Sequence, residues 1–123
     1  MDKQQGEMAL MGVVTRPKFK HPDSVIRVLK SMSDAVAVSM SHAQMSQQDL
    51  ADAIHVSKSY MSRLFGGQRP WQQKHLERVR KATGSLATLQ YAAMKEGLEV
   101  YVDEVEVRKA QLRAELAHLE KVA

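Results

Sequence analysis

The stretch Met45-Ser-Gln-Gln-Asp-Leu-Ala-Asp-Ala-Ile-His-Val-Ser-Lys-Ser-Tyr-Met-Ser-Arg-Leu-Phe-Gly-Gly67 decides how this chain folds. Ser46 with Asp49 three residues on is a helix-start signal. The hydroxyl can take a first-turn amide, and the carboxylate, a short stand-in for Glu or Gln, can reach back. Leu50, Ala51 and Ile54 follow as an apolar stripe at helical spacing, and His55 ends the helix. Ser57 can cap a second helix, with Met61 and Leu64 inward and Gly66-Gly67 closing it. Lys58, Ser59, Ser62 and Arg63 are left on its outer face. Two short helices, a tight turn and a polar outer face on the second are the layout of a DNA-reading helix-turn-helix.

In the order Met45-Ser46-Gln47, Leu50-Ala51, Ile54, Val56-Ser57-Lys58-Ser59, Met61-Ser62-Arg63 and Gly67, the chain resembles the Cro/lambda-repressor helix-turn-helix family. This family is also called the xenobiotic-response-element family of regulators. Leu64-Phe65-x-Gly67 is similar to the lambda repressor branch in particular. The likeness runs from Asp23 to Thr83. The family usually has Gly in the turn, where a left-handed conformation is needed. This chain has His55, one of the non-glycine types that tolerate positive φ at some strain.

The resemblance implies an all-α fold, a five-helix lambda-repressor-like helix-turn-helix domain with a C-terminal oligomerisation helix. It implies double-stranded DNA as partner, with the helix 57–65 in a major groove. Lys58 and Arg63 can donate to guanine O6 and N7, Ser59 and Ser62 can bond bases or phosphates, and Tyr60 can pack on a thymine methyl or the sugar-phosphate chain. By position in the family, Gln47, Gln68 and Arg69 are phosphate contacts. Ser57 and Lys74 join them as candidates. A two-fold dimer on an inverted repeat is the expected assembly, a homodimer or a higher homo-oligomer.

The charge distribution supports a polyanion partner. The chain has 123 residues and a net charge of +4. Residues 1–21 carry +2, residues 22–84 carry +4 and residues 85–123 carry −2. There is no cysteine, hence no disulfide framework and no Cys-based metal site. No apolar run is long enough for a membrane span, and no signal core is visible at the N-terminus. A cytoplasmic, nucleoid-associated protein is expected.

Three segments follow from composition. Residues 1–21 read as a flexible basic arm, broken by Gly12 and Pro17, with Arg16, Lys18, Lys20 and His21 around Phe19. Such an arm can track a DNA backbone or enter a minor groove; a disordered tail, or a strand whose Val13, Val14 and Phe19 pack locally, is the plainer alternative. Residues 22–84 hold the DNA-binding domain. A long first helix is expected from Asp23 or Ser24, its apolar face running from Val25 to Met40 and wide enough for the domain core and a partner subunit. Pro70 suits the start of a helix over about 71–83, with Leu76, Val79 and Ala82 inward. From Arg63 to Lys81 the chain has six Lys/Arg and one Glu. Trp71 reads as a core residue whose indole N–H is free to reach a phosphate. Gly84 closes this helix and Ser85 can cap the next, in which Leu86, Leu89, Ala93 and Met94 suggest packing on the other helices or on a second subunit.

Residues 85–123 read as a helical oligomerisation segment. Leu98, Val105, Leu112 and Leu119 share one seam position, and Val102, Lys109 and Leu116 share its companion. A parallel homodimer would set Arg108 by Arg113 and Glu115 by Glu120 of the other copy, so an antiparallel or higher-order packing is expected. A strand over Leu98–Val107 is the rival reading; the heptads continuing to Leu119 favour helix.

No Walker-type loop, metal-ligand spacing or activated nucleophile is visible, so no enzyme, cofactor or metal is expected. The competing function is protein interaction. The resembled family includes antitoxins that bind DNA through this motif and a toxin through an added segment, for which residues 85–123 would serve. The acidic cluster Glu96, Glu99, Asp103, Glu104 and Glu106 suits a polymerase contact, though a solvated face is the plainer reading. Small proteins of this type are common on phages and plasmids.

Overall fold

The computed structural model describes residues 16–122, and over them the architecture is all-α. The helices are α1 (Asp23–Arg27), α2 (Met32–Ala43), α3 (Gln47–Ala53), α4 (Lys58–Phe65), α5 (Gln73–Thr83), α6 (Ala87–Lys95) and α7 (Glu104–Val122). Arg16 to Pro22 lead into α1 without forming a helix.

The α3–α4 pair follows from its local signals. Ser46 Oγ accepts from Asp49 N at 3.1 Å, and Asp49 Oδ2 accepts from Ser46 N at 3.1 Å. His55 takes the left-handed conformation at φ 61°. Ser57 Oγ accepts from Tyr60 N at 3.1 Å, and Gly67 at φ 78° ends the unit. Leu50, Ala51, Ile54, Met61 and Leu64 meet Val36 of α2 and Leu76 and Val79 of α5 in one dry cluster. Burying each such side chain contributes roughly 1.5–3 kcal/mol.

The expected long first helix is two helices. Ser31 Oγ accepts from Asp34 N at 3.2 Å and Asp34 Oδ2 accepts from Lys30 N at 2.9 Å. Ser31-x-x-Asp34 is thus a start signal of the same kind as Ser46-x-x-Asp49, set inside an apolar stripe that masks it. The break leaves Val28 72 % exposed. It also folds α1 back, so that Ile26 joins Ala35, Ala87 and Tyr91 in a second cluster. The second apolar face of α2 is therefore covered by α1 and α6 of the same chain, not by a partner subunit.

α5 begins at Gln73 rather than Trp71, and Pro70 lies in the connection before it. His75 Nδ1 accepts from Gln72 N at 3.3 Å across the first turn. Ser85 Oγ accepts from Ala87 N at 3.2 Å at the start of α6. Of the residues expected to pack there, Leu86 is buried, Met94 packs on the second cluster and Leu89 is exposed, while Ala87 and Tyr91 fill the core.

The expected flexible arm does not extend through residue 21. Phe19 makes an isolated parallel bridge with Ser85: its N donates to Gly84 O at 2.8 Å, and its O accepts from Leu86 N at 2.9 Å. Gln90 clasps the backbone of His21, accepting from its N and donating to its O, each at 2.9 Å. The Phe19 ring stacks on His42 of α2, with centroids 4.7 Å apart. Residues 1–15 of the arm, Val13 and Val14 among them, lie outside the described residues.

Residues 98–103 are neither helix nor paired strand. Gly97 at φ 74° ends α6, and Asp103 Oδ1 accepts from Val105 N at 2.9 Å to start α7. Leu98 and Val102, expected in the helical seam, therefore lie outside the helix.

Two buried histidines have lowered pKa values. His21 is buried, with Nε2 2.7 Å from Ser85 Oγ. Burial, and then the neighbouring His42, hold its pKa below the ordinary 6.5. Burial, and then Lys74 and Arg78, do the same for His75. At these two sites the folded chain therefore binds fewer protons than the unfolded one. Stability from these groups is complete above about pH 7.5 and is lost as pH falls through 6.5 toward the lowered folded values. The urea midpoint should be level from pH 8 to about 7.5 and drop by about pH 5.5. His75→Asn, which keeps an acceptor for Gln72 N, should flatten that slope; an unchanged slope would remove His75 from the account.

Candidate nucleic-acid interface

α4 has two unlike faces. Met61 and Leu64 are 1 % exposed, while Lys58, Ser59, Ser62 and Arg63 are all exposed. Lys58 and Ser62, and Ser59 and Arg63, are each four residues apart, so the four side chains form one two-turn face. No acid lies on this helix. Ser57 Oγ takes the Tyr60 amide, which keeps the hydroxyl proton available as a donor. Tyr60 itself is half-buried, its ring 5.7 Å from that of His75.

The turn ahead of α4 is fixed from three sides. Val56 N donates to Ala51 O at 3.0 Å and His55 N to Asp52 O at 3.3 Å. From α5, Arg78 Nη1 donates to Ile54 O at 3.0 Å. Arg80 Nη1 donates to Thr88 Oγ1 of α6 at 3.3 Å. These two of the six basic residues between Arg63 and Lys81 are half-buried and brace the fold, while Arg63, Arg69, Lys74 and Lys81 remain exposed. Nothing in the sequence around Arg78 marks its tie to Ile54.

The far end of α4 is held by Ser33 and Trp71. Trp71 Nε1 donates to Ser33 Oγ at 2.9 Å, and its ring meets Phe65 edge-on at 5.3 Å. Ser33 Oγ also lies 3.4 Å from Leu64 O. The indole N–H expected to be free for a phosphate is thus committed to Ser33. Trp71 positions the 66–72 connection instead, and there Gln68 N and Arg69 N both donate to Arg63 O, at 2.9 and 3.3 Å.

The candidate phosphate contacts flank α4 along the chain. Gln47 opens α3, Ser57 precedes α4, Gln68 and Arg69 follow it, and Lys74 lies in the first turn of α5; all five are exposed. Among the described residues, the ion pair found is Lys109–Glu106 on α7. Lys58, Arg63, Arg69 and Lys74 therefore have no carboxylate within 4.0 Å there. Asp49 is held in the α3 cap, and Asp52 accepts from Gln48 Nε2 at 3.0 Å. Exposed hydroxyls and long donors on α4, with Arg69 and Lys74 exposed on the segments that follow it, are groups that can bond phosphates and base edges.

Comparison with protein-family models, with curated proteins and with solved structures gives no match. The likeness to Cro/lambda-repressor regulators rests on the motif residues themselves.

Elsewhere, no group of three or more His, Cys, Asp or Glu among the described residues is placed to hold a metal ion. No helix there is long and apolar enough to cross a membrane. Of the six expected seam residues, Val105, Leu112, Leu116 and Leu119 are on α7, at 61, 45, 58 and 62 % exposure.

Proposed function

We propose that this chain is a sequence-specific, double-stranded-DNA-binding transcriptional regulator of lambda-repressor-like fold, acting as a repressor on an inverted-repeat operator. The observation that carries the reading is α4: an inner face locked into the core, and an outer face of Lys58, Ser59, Ser62 and Arg63 with no acid on the helix. α3 lies across the groove and α4 enters it. Arg63 and Lys58 donate to guanine acceptors, Ser59 and Ser62 supply hydroxyls, and Tyr60 adds edge contact. Gln47, Ser57, Gln68, Arg69 and Lys74 hold phosphates and set register. Residues 85–123 join two copies, so that two reading helices meet half-sites about one turn apart.

An antitoxin-type role is the second reading. The exposed apolar residues of α7 favour it, since they suit a protein partner. A companion protein co-purifying at fixed ratio would support it.

The test is selection of duplexes from a random pool at near-physiological salt, with Arg63→Ala in parallel. An inverted repeat should emerge, and the variant should lose about 1–3 kcal/mol, roughly 5- to 150-fold, and relax one base position. Recovery of no motif, with binding that fades steeply with salt, would reduce the surface to a backbone-binding scaffold.

A further inference from the structure

α7 leaves one leucine-bearing face uncovered over 19 residues, about 28 Å of helix. Val105, Leu112 and Leu119 repeat every seven residues, with Lys109 and Leu116 between them. This places Glu106, Arg113 and Glu120 along one flank of the seam and Arg108 and Glu115 along the other. The flanks determine which partner fits. A parallel second copy would oppose Arg108 to Arg113 and Glu115 to Glu120, like against like.

We propose that this face is occupied by α7 of a second copy, antiparallel, in one register. Val105 packs against Leu116 of the other copy, and Lys109 against its Leu112. In that register Glu106 of each copy faces Arg113 of the other, and Arg108 faces Glu115. The two-fold axis makes each contact occur twice, giving four complementary pairs. Sliding by one heptad toward the helix start opposes Glu106 to Glu106 and Arg108 to Arg108. Sliding the other way opposes Arg113 to Arg113, Glu115 to Glu115 and Glu106 to Glu120. The charges thus select orientation and register together, as flanking charges do in paired helices. Lys109 interrupts the seam, but its ammonium lies 3.5 Å from Glu106. Its stem can cover the facing leucine while the charged head stays in water.

This deepens the dimer part of the reading above and rests on that part alone. The chain has no cysteine, so introduced thiols report cleanly. Full-length Val105→Cys and Leu116→Cys chains, mixed under reducing conditions and then oxidised, should give the crossed disulfide dimer. Neither should cross-link by itself, because like positions then lie eleven residues apart along the axis, about 16 Å. A disulfide dimer of Val105→Cys alone would overturn the proposal, as would no crossed product. As a check that leaves the apolar seam intact, Arg113→Glu should raise the dimer dissociation constant about tenfold by sedimentation, with affinity restored in the Glu106→Arg/Arg113→Glu double variant. A parallel dimer would instead be strengthened by Arg113→Glu, and that result would also overturn it. Neither readout involves DNA, so loss of operator selection with the crossed disulfide intact would count against the DNA reading and not against this assembly.

Discussion

Leu50→Ala is expected to lower folding stability by about 2–5 kcal/mol. Leu50 is fully buried on α3 and belongs to the cluster formed with Val36, Met61, Leu64, Leu76 and Val79, so four helices meet around it. Truncation removes transfer energy and leaves a cavity that α2 and α5, each held by other contacts, can close only in part. Against a usual total of about 5–15 kcal/mol, the loss is a large fraction. The thermal midpoint should fall by roughly 10 °C or more. Arg63→Ala, on the exposed face of α4, should stay within about 0.5 kcal/mol of the parent. Urea titration of both variants separates a residue that holds α4 in place from one that α4 presents. Equal midpoints for Leu50→Ala and the parent would refute the four-helix core.

Gly84→Ala is expected to undock the segment before α1. Gly84 ends α5 at φ 76°, a conformation that costs an L-residue about 1–2 kcal/mol. A Cβ there would also lie 2.7 Å from Pro17 O and 3.0 Å from Arg16 Cβ. The first of these is backbone and cannot rotate away. Relief requires residues 16–19 to move, which breaks the bonds that Phe19 makes with Gly84 and Leu86. The total loss should exceed the left-handed cost alone. Amide exchange at Leu86 and His21 should accelerate more than exchange in α3 and α4. Uniform exchange across the chain would show that the segment is not docked through Gly84.

The sequence was legible where a structural signal and its answer lie within one helical turn. Ser46 with Asp49, Ser57 with Tyr60, and Gly84 at a helix end all act on amides or carbonyls three or four residues away. The positive φ of His55 is the conformation that the resembled family's usual glycine in this turn implies. The outer face of α4 followed from the positions of Met61 and Leu64, because a helix with two buried residues has its opposite side fixed. Ser31 with Asp34 is equally local, but an apolar stripe running through Val28 and Leu29 predicts one continuous helix there. The 98–103 stretch failed for a related reason. A seven-residue repeat can be extrapolated past its last helical residue, whereas the Asp103 cap fixes where α7 begins.

What the sequence by itself determined is therefore the α3–α4 pair with its caps, the turn at His55 and the polar face of α4. Each depends on backbone geometry and on side chains one turn apart. Only the tertiary structure decided what each remaining surface meets. His21 is clasped by Gln90, 69 residues away, and Trp71 bonds Ser33, 38 residues away. Arg78 turns inward to Ile54 while Lys74 stays outside, and α2 gives its second face to α6 rather than to another subunit. A helical pattern states which side must be buried. It does not state against which element, because that depends on how all the apolar faces and unpaired backbone groups of the chain are satisfied at once.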